Sequence, residues 1–238
     1  MKSNELWLIW RNGDLDAANR SRYWVGTLIK EDDEHYVFRY NDNEEFDEAV
    51  KNGFNGFPGF EDLEQEEYRS EQGLFHNISV RLPKKERDDY LDVLNRYDLD
   101  SLDDEFMVLS RTKGRQITDN FEFVPAFDEN KIEFDVAGVR HRSAVDLENS
   151  VRDGFLTRGA KLILEKEPDN EFDEFAVKVL LPVAGKQVLL GYVPRYYSRP
   201  LTKKLESGAM YSAVVARVDL RSKLRDEKIS AVVRLKLA

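Results

Sequence analysis

The 238-residue sequence predicts an α+β fold, in which an N-terminal domain of mixed strands and helices precedes a small, curled and partly closed β-barrel. Three observations favour this class. Strand-like alternation of apolar and polar residues recurs in both halves of the chain. Helical periodicity is confined to a few short segments. The charge balance changes sign at residues 125–131, a polar segment that contains proline.

The first half opens with predicted strands. Residues 6–13 are typical of a strand that ends in a turn, and residues 22–41 are typical of a hairpin with an acidic tip at residues 31–34. The glycine- and proline-containing stretch 54–63 follows, and its three phenylalanines are expected to pack beneath that loop.

Two helices and a strand complete the predicted N-terminal domain. Residues 81–100 predict an amphipathic helix with Pro83 in its first turn. Its apolar stripe follows the i, i+3, i+4, i+7 spacing and consists of Tyr90, Val93, Leu94 and Tyr97. A second short helix is expected to end near Gly114, and residues 119–127 return to strand.

The second half is predicted to be mostly strands. They cover residues 132–141, 160–168, 175–182, 186–194, 211–220 and 228–237. Between them, residues 198–208 predict a short helix with Ser198 as N-cap, Pro200 near the first turn and Gly208 at the end. Several short strands with one helix are typical of a small barrel. We therefore expect domains at residues 1–128 and 131–238.

The net charge of −10 is unevenly distributed. Residues 1–130 hold 16 Lys/Arg and 31 Asp/Glu, whereas residues 131–238 hold 20 and 15. A polyanion interacts with the charge of the surface that it contacts and not with the net charge of the protein. The basic second half could therefore bind nucleic acid. A charge difference that serves only solubility is the alternative.

The sequence lacks the residues that several kinds of catalytic and metal-binding chemistry require. The chain has no cysteine, which excludes disulfides and thiolate metal sites. Residues 154–161 place two glycines at phosphate-loop spacing but lack the required Lys-Ser/Thr pair. The three histidines stand in no metal-ligand spacing. We expect no enzyme activity, no cofactor and no metal, and with neither a signal peptide nor a membrane span we expect a cytoplasmic protein.

The connection between two predicted strands at residues 165–181 has an unusual composition. Asn170 and Asp173 bracket Phe172, where a plain hairpin would be served by Asn-Gly or Asp-Gly. Two short polar side chains around one aromatic could present hydrogen-bond acceptors beside a stacking surface. This stretch is therefore the main candidate binding site.

Three segments of the second half resemble the HIRAN domain. Residues 134–141 resemble its opening strand and basic turn, residues 159–179 its central Asn-x-aromatic-Asp signature, and residues 190–201 its Gly-x-Val-Pro segment and helix. The resemblance covers about 105 residues. It implies an OB-like barrel that binds single-stranded DNA, in the best-understood members at ends that carry a free 3′-hydroxyl.

The resemblance also implies roles for individual residues. Asn170 and Asp173 would hydrogen-bond the 3′-hydroxyl and base edge, and Phe172 would provide a stacking wall. Arg140 would lie near the phosphates, and Tyr192 would stack on a base.

Three positions depart from the family pattern. Members that bind DNA ends carry two aromatics after the arginine, where this chain has His141 and Arg142, and they carry tyrosine where this chain has Phe172. We include His141 in the candidate site.

The first half resembles the region that precedes the HIRAN domain in a group of bacterial proteins, and more distantly the N-terminal subdomain of HipA-type toxin kinases. The kinase core of HipA does not follow, so the resemblance implies no kinase activity. The acidic domain could instead recruit a protein partner.

Plainer interpretations remain open at this stage. Asn170 and Asp173 could simply cap a turn. Phe172 and Tyr192 could belong to the core, and Arg140 could be an ordinary surface charge. One alternative function is a regulatory, antitoxin-like module that binds protein and not nucleic acid, and another is an accessory subunit of a nuclease or hydrolase.

Overall fold

The computed structural model describes residues 4–13, 21–222 and 227–236. The chain divides into two compact units, Met1–Ala126 and Phe127–Ala238. Both units combine strands with helices, so the predicted α+β class is confirmed.

The first unit contains an antiparallel sheet of five strands in the order β4-β3-β2-β1-β5. Its elements are β1 (Glu5–Arg11), β2 (Arg22–Lys30), β3 (Tyr36–Tyr40), α1 (Glu44–Lys51), β4 (Tyr68–Ser70), α2 (His76–Ser79), α3 (Tyr90–Arg96), α4 (Glu105–Thr112) and β5 (Phe121–Pro125).

Aromatic side chains dominate the core of this unit. Phe54, Phe57 and Phe60 are all buried there, as expected for the three phenylalanines of the loop. Burial of large rings supplies much of the hydrophobic stabilisation of such a small unit. A stacked pair, Trp7 and Trp24, has ring centroids 4.0 Å apart and an interplanar angle of 19°.

The prediction for the helix at residues 81–100 was partly wrong. α3 begins at Tyr90, and residues 83–89 form turns and loop, so Pro83 is not in its first turn. The charged run at residues 84–89 has no apolar side chain to bury, so the helix starts only where the apolar stripe does. Within the stripe, Leu94 is buried.

Three short α-helices were not predicted: α1, α2 and, in the second unit, α5 (Ala144–Arg152). α1 is capped by Asn43, whose side chain accepts a hydrogen bond from the Phe46 N–H, and it carries acidic residues in its first turn. In the second unit α5 is capped in the same way by Ser143. None of the three has more than two to three turns, too few for the hydrophobic periodicity to be conspicuous.

The second unit contains a six-stranded sheet in the order β6-β11-β10-β7-β8-β9. Its elements are β6 (Lys131–Asp135), a 3-10 turn (Val139–His141), α5 (Ala144–Arg152), β7 (Lys161–Lys166), β8 (Val177–Val183), β9 (Lys186–Tyr192), α6 (Arg195–Glu206), β10 (Met210–Val218) and β11 (Ile229–Lys236).

The two ends of this sheet approach each other but do not pair along their length. Ala137, just beyond β6, forms a single bridge with Tyr192 at the end of β9, through N–H to carbonyl hydrogen bonds of 2.8 and 2.9 Å. Within the part of the chain that the structure describes, β6 and β9 are otherwise the outer strands. The sheet is curled as predicted, but the barrel is not closed.

Pairing in the middle of the sheet is also incomplete. β7 and β10 pair only at Leu162 with Ala213 and at Lys161 with Val214. Further along β7, the Tyr211 hydroxyl accepts a hydrogen bond from the Leu164 N–H (3.0 Å) and donates one to the Leu164 carbonyl (3.2 Å). A side chain thus takes the place of a strand partner.

The helix predicted at residues 198–208 begins earlier than expected. α6 starts at Arg195 with Pro194 as its N-cap, and Ser198 lies inside the helix, where its hydroxyl donates to the Arg195 carbonyl at 2.8 Å. Burial of Tyr196 and Tyr197 draws the preceding residues into the helix. The helix does end just before Gly208, as predicted.

Among the residues that the structure describes, no helix is both long and apolar enough to cross a membrane.

Candidate functional site

The connection between β7 and β8 is built around the side chain of Asn170. Its Oδ1 accepts hydrogen bonds from the N–H groups of Phe172 (3.0 Å) and Asp173 (3.2 Å). Its own N–H donates to the Glu167 carbonyl at 3.1 Å. Asparagine favours this arrangement because its short side chain can mimic the next peptide group.

Asp173 caps the following turn. Its Oδ1 accepts a hydrogen bond from the Phe175 N–H at 2.9 Å, and its carbonyl accepts one from the Ala176 N–H at 2.9 Å. Both polar residues of the candidate site therefore do cap the backbone.

Each capping residue still has hydrogen-bonding capacity beyond the turn. Both hydrogen bonds to the Asn170 oxygen come from the backbone, whereas its amide nitrogen carries two protons and donates one of them to Glu167. Asp173 retains its Oδ2 atom. The pair therefore offers one donor and one acceptor, and the expectation of two acceptors was wrong because the turn uses the Asn170 oxygen.

Phe172 projects away from the core. Its side chain is 64% exposed, so the interpretation as a core residue does not hold. Exposure of a ring is unfavourable in water, and it leaves an aromatic face available for contact beside the two capping residues.

Glu167 joins the turn to the neighbouring strands. Its Oε2 accepts a hydrogen bond from Asn170 Nδ2 at 2.7 Å, and its Oε1 lies 2.9 Å from Lys178 Nζ. The Tyr192 hydroxyl donates to the same carboxylate. The hydrogen bonds from Lys178 and then Asn170 lower the pKa of Glu167, because they stabilise its ionised form.

The hydroxyl of Tyr192 is held in its protonated state. Burial raises its pKa first, and the hydrogen bond to the Glu167 carboxylate raises it further. Tyr192 therefore faces this polar cluster through its hydroxyl and is only partly buried, which does not fit the interpretation as a plain core residue.

The basic turn after β6 lies beside Tyr192. Gly138 has a φ of 78°, and a Cβ atom there would lie 4.0 Å from the Tyr192 ring. Arg140 and His141 follow in the 3-10 turn, where Arg140 Nε donates to His141 Nε2 at 3.0 Å. The bridge between Ala137 and Tyr192 fixes this turn against the end of β9.

The structure thus connects several of the predicted residues through contacts. Asn170 and Tyr192 meet at Glu167, and the turn that carries Arg140 lies against the ring of Tyr192. Phe172 and Asp173 occupy the outer part of the same β7–β8 connection.

Sequence analysis missed three residues of this cluster. The pairing of Glu167 with Lys178 depends on strand register, in which Lys178 lies opposite both Glu165 and Tyr192, and no sequence pattern shows that register. Arg142 adds a nearby positive charge that acts on Tyr192. Its Nε atom is buried without a hydrogen-bond partner among the described residues, a feature that no sequence pattern reveals.

The described residues contain no group of three or more His, Cys, Asp or Glu side chains that could hold a metal ion.

The second unit is thus an open, curled antiparallel sheet that carries an exposed aromatic, Phe172, between two polar residues whose side chains cap the backbone. Residues 130–237 match the HIRAN domain model. The sequence resemblance of the second half to HIRAN domains is thereby confirmed.

Two solved structures are similar to this part of the chain. A protein from Lactobacillus plantarum is 21% identical, with 45% of this chain and 93% of that chain covered and a TM-score of 0.34. The HIRAN domain of human HLTF is 18% identical, with 44% and 73% covered and a TM-score of 0.31. At these TM-scores neither likeness adds to the assignment. No curated protein is similar enough to the sequence to count as a match.

Proposed function

We propose that this protein binds single-stranded DNA through its second unit, at or near an end with a free 3′-hydroxyl, and that it does so without catalysing a reaction. The observation that carries the proposal is the exposed Phe172, held between Asn170 and Asp173 within the segment that matches the HIRAN domain.

Each group of the site has a role in this proposal. Phe172 stacks on a base, a contact that contributes about 1–3 kcal/mol in single-strand binding. The Asn170 amide donates to the base edge or the sugar. Tyr192 forms a wall of the pocket, and Arg140 and His141 lie near the first phosphates, where they contribute salt-dependent affinity.

Asp173 provides the reason for preferring an end. A carboxylate is unfavourable beside a phosphate, but it can accept a hydrogen bond from a sugar hydroxyl. Since Asp173 Oδ1 is engaged by the Phe175 N–H, the free hydroxyl would donate to Oδ2.

The stacking role is tested with Phe172→Ala, titrated in the full chain by fluorescence anisotropy against a labelled oligonucleotide with a free 3′-hydroxyl. Because the side chain is exposed, the fold should be retained, and affinity should fall by about tenfold or more. Phe155→Ala is the control, since Phe155 is an exposed aromatic of the same unit outside the turn. Equal affinities for both variants would reject the stacking role.

The end-recognition role is tested with Asp173→Asn. The substitution keeps an oxygen that can cap the Phe175 N–H, while it removes the charge and one acceptor. We expect an unchanged melting temperature and loss of the preference for a 3′-hydroxyl over a 3′-phosphate. If the preference survives in the folded variant, Asp173 serves the turn alone.

A second candidate function is favoured by the charges around the same turn. Residues 165–174 include six carboxylate side chains and only one lysine, a composition that suits a basic protein partner better than a polyanion. The module would then be regulatory, in line with the HipA-like resemblance of the first half, whose acidic surface could also recruit a protein. Absence of any salt-dependent oligonucleotide binding would favour this candidate.

The setting that we propose is the cytoplasm of a bacterium. The absence of cysteine and the resemblance of the first half to bacterial proteins support it.

A further inference from the structure

α6 carries a row of positive charges that sequence analysis did not assign to the site. Arg195, Arg199 and Lys203 follow one another at intervals of four residues, so they lie along one face of the helix. Arg199 and Lys203 are exposed, and Arg195 is partly exposed. At 1.5 Å per residue the row extends over about 12 Å.

Specific contacts hold this helix beside the candidate turn. The Thr202 hydroxyl donates to the Phe175 carbonyl at 3.0 Å, and the Arg199 guanidinium lies 5.3 Å from the centre of the Phe175 ring. The Phe175 N–H in turn donates to Asp173. Further along, Lys166 Nζ contacts Glu206 Oε1 at 3.0 Å. The middle of the row therefore lies next to the residue that we propose to bind the strand end.

Two residues of the row, Arg199 and Lys203, differ from the other cations near the turn in their ion pairs. Lys178 is paired with Glu167, and Lys204 with Glu129 at 2.9 Å. For Arg199 the structure shows the Phe175 ring as partner, and neither it nor Lys203 has a carboxylate within ion-pair distance among the described residues. These two charges are therefore available to an incoming anion.

The surroundings of the turn also restrict the path of a bound strand. The carboxylates of residues 165–174 repel a phosphate chain laid across the connection itself. The face of α6 has the opposite sign. The face of α6 is continuous with the site, and its charge is complementary to that of phosphate. These two features favour one occupant of this face, the sugar-phosphate backbone of a single strand.

We propose that a single strand whose 3′ end lies at the Asn170–Asp173 turn runs along α6, with Arg199 and Lys203 contacting two of its phosphates. The inference rests on the proposed function and deepens it. Phosphates of one stacked strand follow at about 3.4 Å, so a row of this length contacts more than the terminal nucleotide.

The test uses the double variant R199M/K203A in the full chain. Methionine keeps an apolar stem that can pack on the Phe175 ring, while both charges are removed. Single strands of about 3 and about 12 nucleotides, each with a free 3′-hydroxyl, are titrated over a range of salt concentrations. K186A is the control, because Lys186 is an exposed cation at the far end of the β8–β9 hairpin from Tyr192.

We expect the double variant to lose about tenfold in affinity for the longer strand, and the slope of log affinity against log salt to fall by about 1.4, or about 0.7 per lost phosphate contact. Affinity for the short strand, whose two phosphates reach only part of the row, should fall by less, and K186A should match the unmodified chain with both.

The other outcomes separate this inference from the proposed function. Equal losses for both strands, or no loss, would reject the path along α6 while the pocket stands. If the unmodified chain binds only the longer strand and the double variant binds that strand more weakly, the path along α6 is supported and end recognition is rejected. Binding of neither strand by the unmodified chain rejects both proposals.

Discussion

A close approach of the backbone to Gly191 predicts that Gly191→Ala is strongly destabilising. A Cβ atom at Gly191 would lie 2.2 Å from the Ala137 carbonyl oxygen and 2.9 Å from Val136 Cγ1. Neither neighbour can move freely, because Ala137 is joined to Tyr192 by the two hydrogen bonds of the bridge and the Val136 N–H donates to the Ile229 carbonyl at 2.8 Å. Gly191 also has a φ of 155°, which side chains rarely adopt.

The magnitude follows from these contacts. Loss of the two bridge hydrogen bonds costs about 1 kcal/mol each, and backbone strain adds about 1–3 kcal/mol. The sum of about 3–5 kcal/mol corresponds to a fall in melting temperature of about 10 °C or more for a unit of this size.

Calorimetry of the full chain measures the shift, and hydrogen exchange followed by mass spectrometry locates it. Gly185→Ala is the matched control, because Gly185 also has a positive φ of 81° but nothing within 4 Å of the added Cβ. It should cost only about 1–2 kcal/mol. Exchange in Gly191→Ala should increase first around Ala137 and Tyr192. Similar melting temperatures for the two variants would refute the reasoning.

Four further predictions concern both units. Arg81→Met should destabilise the first unit by about 3–5 kcal/mol in urea unfolding, because it leaves Asp119 without the partner that donates to both of its oxygens at 2.6 and 2.8 Å; an unchanged midpoint would contradict this. The ion pair of Glu167 should contribute fully to stability above its ordinary pKa of 4.5 and be lost as pH falls through its lowered folded value. In the Glu167→Gln variant, a plot of melting temperature against pH should therefore lack the pH-dependent stabilisation that this ion pair provides. Limited proteolysis should cut near residues 126–132 and release a folded second fragment; an unfolded fragment would show that the halves share one core. Residues 131–238 alone should bind oligonucleotide more tightly than the full chain in anisotropy titrations, because the acidic half lowers the local potential; equal affinity would argue against that effect.

Most strands were predicted correctly from the sequence, because the alternation of apolar and polar residues is a local signal. The hairpin of β2 and β3 and the pair β10 and β11 lie where their patterns placed them. Helix starts were less predictable. Ser198 has the chemistry of an N-cap, but burial of Tyr196 and Tyr197 extends α6 towards the N-terminus, and such tertiary packing outweighs local preference.

The candidate site was predictable in its residue types and less so in its bonding. The Asn-x-aromatic-Asp pattern correctly located a turn capped by its own side chains. The pattern could not show that Glu167 would take the Asn170 amide, since that depends on the register of β7, β8 and β9. Nor could it place α6 beside the turn, because the contact of Thr202 with Phe175 joins residues far apart in sequence.

The stacked tryptophans give the protein an internal spectroscopic label. Trp7, Trp10 and Trp24 are the only tryptophans in the chain, and all of them belong to the first unit. Indole emission excited at the red edge therefore reports on that unit alone. Rings as close as those of Trp7 and Trp24 should also give an exciton couplet in circular dichroism. An oligonucleotide bound at the second unit would leave both signals unchanged unless the two units communicate, so a simple optical titration measures that communication without an added dye.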